Sequence, residues 1–64
     1  MNLAEALGQE IQRNRELLKR YEAIPTGMFG AIMIEQDIKK AIAALASGDV
    51  IQIAKAYEAM KNNE

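Results

Sequence analysis

Residues 28–47 read Met28-Phe29-Gly30-Ala31-Ile32-Met33-Ile34-Glu35-Gln36-Asp37-Ile38-Lys39-Lys40-Ala41-Ile42-Ala43-Ala44-Leu45-Ala46-Ser47, and the reading of this stretch decides the fold. Ile34, Ile38, Ala41 and Leu45 are spaced four, three and four, the repeat of one helix face. A second apolar set, Phe29, Ile32, Met33 and Ile42, lies displaced around the same cylinder. Ala31 to Ile34 are four consecutive apolar residues, so the greasy surface wraps most of the way round. A helix apolar on several faces needs several neighbours. Two short partner helices from the same chain are too few, and a second subunit is the economical expectation.

The stretch is bounded on both sides by joints. On its N-terminal side Ile24-Pro25-Thr26-Gly27 stops the preceding helix, because proline disfavours helical geometry in the residue before it. Thr26 is the expected N-cap of the second helix, predicted over about 27–47. On the C-terminal side Gly48 suits the left-handed residue that closes a helix. Asp49 then caps the next, with Gln52 in the reciprocal capping position.

Outward from these joints lie two further helices. The first is predicted over about 3–23, with Asn2 as N-cap and Glu5 completing a capping-box-like pattern. Leu7, Ile11, Leu18 and Tyr21 form its stripe, widened by Leu3 and Leu17, and Asn14 stands where an apolar residue would join Ile11 to Leu18. The third is predicted over about 50–61, with Val50, Ile53, Ala54, Tyr57 and Met60 on its inner face. The tail Asn62-Asn63-Glu64 is expected to fray. No segment reads as a strand. The expectation is an all-α chain: one domain, a three-helix unit of two long helices and a shorter one, assembling into a helical homo-oligomer.

Composition agrees and excludes several classes. The chain has 64 residues, half of them hydrophobic and 27% charged, which is a globular balance. Eight basic and nine acidic residues leave a net charge of -1, against a nucleic-acid polymer as partner. Cysteine is absent, so neither disulfides nor zinc–thiolate sites are available. No apolar run approaches the roughly 18 residues needed to cross a bilayer. The N-terminus, with Glu5 early and no basic start before an apolar block, does not read as a signal peptide, so a cytoplasmic location is expected. Below roughly 70–80 residues a single core seldom supplies more than ~3–5 kcal/mol. Without a disulfide or a metal site, self-association is the remaining device.

Catalysis needs a group that donates, accepts or attacks at a controlled pKa. Histidine and cysteine are both missing, and the single serine, Ser47, sits at a helix end with no base near it in sequence. Glu35 and Asp37 are two apart and point to different helix faces. The expectation is a protein that is not an enzyme and uses no metal and no cofactor.

Binding features remain. In Thr26-Gly27-Met28-Phe29-Gly30 two glycines leave backbone N–H groups uncovered near a helix start, which attracts anions, while Met28 and Phe29 offer a soft surface for a ring. The same residues also read as a tight turn, with Gly30 admitting close approach of the first helix. The Gly-Lys-Ser/Thr ending of a phosphate-binding P-loop is missing. Asn14 reads as a register-fixing polar residue between subunits, or as an amide that reads a ligand edge. Arg13 and Arg20, seven apart on one face, join Lys40 as a basic rim able to grip phosphate, or as ordinary solvated surface. Tyr21 reads as a core aromatic with its hydroxyl at the rim, or as a stacking platform.

Ala6-Leu7-Gly8, Arg15-Glu16-Leu17-Leu18 with Tyr21-Glu22, Gly27-Met28-Phe29-Gly30-Ala31, Ala46-Ser47-Gly48-Asp49-Val50 and Ala56-Tyr57-Glu58 together resemble small helical proteins encoded by bacteriophages and prophages. The resemblance covers nearly the whole chain but rests on turns and packing residues, so it carries no site residues with it. It implies an accessory protein acting stoichiometrically against host enzymes or host defence. One such class comprises oligomeric sponges for the nucleotide second messengers of anti-phage immunity.

Two functions follow as expectations. The first is sequestration of an anionic small molecule, such as a nucleotide, at subunit interfaces by Arg13, Asn14, Arg20, Tyr21, Thr26, Gly27, Met28, Phe29, Gly30 and Lys40. The second is a protein-interaction module that docks the apolar face of the second helix onto a host protein. A TPR-like fragment is a variant of the second, disfavoured because no repeat of about 34 residues is present.

Overall fold

In the computed structural model, which describes residues 2–64, three helices form a single three-helix unit. They are α1 (Leu3–Glu22), α2 (Met28–Ser47) and α3 (Val50–Lys61), with a 3-10 turn at Pro25–Gly27 between the first two. Each helix packs on both of the others. The chain runs up α1, down α2 and up again along α3, so the end of α3 returns to the middle of α1.

Local chemistry sets the ends. The Oδ1 atom of Asn2 accepts from the backbone N–H of Glu5 at 2.8 Å, satisfying one orphan donor of α1. The Oδ1 atom of Asp49 does the same for Ile51 and Gln52 at the start of α3. Gln52 does not reciprocate: the N–H of Asp49 donates to Oγ of Ser47 at 3.1 Å, so serine closes this cap from the preceding helix. Gly48 has φ of 70°, the left-handed conformation that lets α2 stop and α3 begin two residues later.

The α1–α2 joint differs from the sequence reading. The side chain of Thr26 makes no capping bond, and α2 begins at Met28. The 3-10 turn replaces the cap, with Gly27 N–H donating to the Ile24 carbonyl at 2.9 Å. A Cβ on Gly27 would overlap the Tyr21 carbonyl, so the turn is held against the end of α1 by backbone contact.

Leu7, Ile11 and Leu17 of α1 meet Ile34, Ile38, Ala41 and Ala44 of α2 and Ile53 and Met60 of α3 in one core. Leu18, Tyr21, Leu45, Ala56 and Tyr57 pack on it from the edges. The core stripe of α2 is the one expected at Ile34, Ile38 and Ala41 and is extended by Ala31 and Ala44, whereas Leu45 is only half-buried at its edge. Val50, placed on the inner face of α3 by its spacing, stands exposed instead, and the buried residues of α3 are Ile53 and Met60. Among the described residues no helix is long and apolar enough to cross a membrane.

Candidate functional site

Two parts of the molecule hold most of the residues singled out by the sequence, and they do different things. The first is a polar junction inside the fold. Asn14 is fully buried, and its Nδ2 donates to the Glu10 carbonyl at 2.8 Å and to the Met60 carbonyl at 3.2 Å. Its Oδ1 accepts from Nδ2 of Asn63 at 2.9 Å, and the same Asn63 amide donates to Oδ2 of Asp37 at 3.0 Å. Arg13 adds a donation from Nη2 to the Met60 carbonyl at 2.8 Å, while its guanidinium also grips Glu10 at 2.9 Å. The hydrogen bond to Glu10 is the main reason its pKa is raised, with desolvation pulling the other way.

The junction thus caps the exposed carbonyls at the end of α3, where positive charge and N–H donors are favourable. It consumes both Asn14 and Arg13 within one chain. The tail, read as fraying, is tied down through Asn63, and the Tyr21 hydroxyl donates to the main-chain oxygen of Glu64. Sequence reasoning missed Asn63 and Asp37. Nothing in the local pattern marks them, since their partner lies in another helix.

The second part is the outer surface of the α1–α2 joint and α2. Gly30 lies under the ring of Tyr21, and a Cβ there would overlap the ring atoms Cδ2 and Cε2. The close-approach reading of Gly30 accounts for this position. Around it, Phe29 is 86% exposed, Met28 69%, Met33 63%, Ile24 52% and Ile32 48%. Ile24, Met28 and Ile32 share a shallow groove with Tyr21, flanked by Glu22 and Glu35. The second apolar stripe of α2 is therefore left uncovered by the chain's own helices.

A further open groove, of about 490 Å³, runs between α2 and α3. Ala43, Ala44, Ala56 and Ala59 line it, with Lys40, Lys55 and the carboxylate of Asp37 beside them. Of the ten residues expected to hold a ligand, Lys40 alone lies here. Tyr21 and Thr26 to Gly30 lie at the joint, Arg13 and Asn14 at the α3 end, and Arg20 is exposed on α1. One chain does not gather them into a common pocket. Among the described residues no group of three or more acidic side chains is arranged to hold a metal ion.

The architecture defines a three-helix all-α protein that leaves an apolar face of α2 exposed. Comparisons with protein-family models, curated proteins and solved structures find no match for the chain.

Proposed function

We propose that the protein is a non-catalytic binding protein that works as a self-associated helical oligomer, with the outward face of α2 as its interface. One observation carries this reading: five large apolar side chains, Ile24, Met28, Phe29, Ile32 and Met33, stand exposed together at one end of the molecule. At ~200 Å² for a large side chain, these exposures leave roughly 600 Å² of apolar area in water, the upper end of what monomers tolerate. The interior argues the same way. Among the described residues the buried large apolar side chains number only seven, Leu7, Ile11, Leu17, Ile34, Ile38, Ile53 and Met60, and the chain has no cysteine with which to reinforce that core.

Sedimentation equilibrium over a wide concentration range tests the proposal. A dimer or higher species is expected, converted to monomer by Phe29→Glu with the helix content unchanged. A folded, monodisperse monomer at high concentration would overturn it.

A second reading is stoichiometric capture of an anionic, nucleotide-like molecule. It is favoured by the α2–α3 groove, where Lys40 and Lys55 suit phosphate and the alanines suit a flat ring. Thermal shift against a panel of cyclic and linear nucleotides tests it, since a ligand of the folded state raises its melting temperature. Stabilisation lost in Lys40→Ala and Lys55→Ala supports capture; no shift with any nucleotide removes it. In a phage setting, which the sequence resemblance implies, such capture would act by titrating a host molecule.

A further inference from the structure

The exposed face of α2 has an internal order that the self-association reading does not use. Phe29, Met33, Gln36, Lys40, Ala43 and Ser47 are spaced four, three, four, three and four, and all six are exposed. This is the spacing of a helix seam that packs against another helix. Its composition is graded: large apolar side chains at the N-terminal end, polar ones at the centre, small ones at the C-terminal end. The small end is also where the surface is concave, because Ala43 and Ala44 of α2 and Ala56 and Ala59 of α3 form the groove.

We propose that a second copy of this chain covers the seam with its own α2 running antiparallel, about a two-fold axis between Gln36 and Lys40. Reversing the seam on itself sets Phe29 opposite Ser47 of the mate, Met33 opposite Ala43, and Gln36 opposite Lys40. Each large side chain meets a small one, and the knobs of one protomer enter the alanine-lined groove of the other. At the centre the Gln36 amide oxygen accepts from the Lys40 ammonium. A parallel arrangement would stack Phe29 on Phe29 and Lys40 on Lys40, wasting the groove and opposing like charges. The two-fold arrangement is isologous, so it closes at two subunits and does not propagate. Phe29 and Met33 of the two copies bring roughly 600 Å² of apolar area to the contact, which the alanine-lined groove walls extend.

The inference rests on the self-association reading and is tested so that the two fail separately. The chain has no cysteine, so single introduced cysteines report contacts without background. Met33→Cys and Ala43→Cys variants are mixed and oxidised, and sedimentation is run on the same samples. A mixed disulfide between the two variants, with little homodisulfide from either, is the expected result. Gln36→Lys, which sets two cations against each other, is expected to weaken the dimer at least tenfold at low salt, and Gln36→Glu to tighten it. A Met33→Cys homodisulfide would establish a parallel pair and overturn the antiparallel seam while leaving self-association standing. An oligomer with no cross-link at either position would move the interface elsewhere on the chain and also overturn it. A monomer throughout would remove both readings.

Discussion

Asn14 and Asn63, 49 positions apart, share a hydrogen bond of 2.9 Å in which the amide of Asn63 donates to the side-chain oxygen of Asn14. That bond joins α1 to the segment after α3, and through Asp37 it reaches α2 as well. Asn14, the one buried polar side chain among the described residues, is thus linked to all three helices, to α2 by way of Asn63. Asn14 has both sides of its amide satisfied, and no buried side-chain nitrogen or oxygen among the described residues lacks a partner. A polar residue on an apolar stripe is commonly a device for fixing how subunits pair. Here the same residue fixes how the chain's own third helix ends.

Replacing Asn14 by alanine is expected to cost about 2 kcal/mol, because a cavity forms and the Asn63 amide loses an acceptor. Asn14→Asp should cost more, since it sets a carboxylate against the Glu10 and Met60 carbonyls. Urea denaturation measures both. A double-mutant cycle with Asn63→Ala should give a coupling of at least ~0.5 kcal/mol, and additive effects would show that the pair does not act together.

Gly30→Ala should destabilise the protein by about 1–3 kcal/mol, although alanine is the better helix former, because its methyl group enters the space of the Tyr21 ring. In a Tyr21→Ala background the sign should reverse, and Gly30→Ala should stabilise by about 0.5–1 kcal/mol. Thermal melts of the four proteins decide it. The same effect in both backgrounds would show that the ring is not what excludes the methyl group.

Gly8→Ala is the companion case. Nothing lies within 4 Å of the position a Cβ would take, and the residue is in the interior of α1. A stabilisation of about 0.5–1 kcal/mol is expected from helix propensity alone. Gly48→Ala has equal room but a φ of 70°, so it should cost about 1–2 kcal/mol. The two substitutions, compared by urea midpoint, separate space from backbone conformation.

Asp49→Ala should cost about 1 kcal/mol, the value of a side-chain N-cap serving two backbone donors. Thr26→Ala should change stability by less than about 0.5 kcal/mol, since its hydroxyl caps nothing. Denaturation midpoints for the two variants check the contrast. A large loss from Thr26→Ala would mean that the hydroxyl supports α2 after all.

Helix placement was legible because periodicity and end chemistry are local. The spacing of Ile34, Ile38 and Ala41 marks a buried stripe whatever it packs against, and Gly48-Asp49 marks a stop and a start within two residues. The first joint was read less well. Pro25 does end α1, but the 3-10 turn that replaces a threonine cap depends on Gly27 lying against the Tyr21 carbonyl, a contact set by the helix pairing. The candidate site was legible only in part. Gly30 and the surplus apolar face of α2 could be read from the chain, whereas the ten expected ligand contacts scatter because adjacency along a helix does not say which neighbour a side chain faces.

The sequence by itself determined three helices, their stops, and an excess of apolar surface on the second, because helical spacing and capping act over a few residues. Only the tertiary structure decided that Asn14 and Arg13 close the end of α3, that Asn63 is anchored, and that Phe29 and Met33 are left facing water. Those outcomes depend on which faces the three helices turn toward one another, and burial of the Leu7, Ile38 and Met60 side chains in a common core is what selects that arrangement.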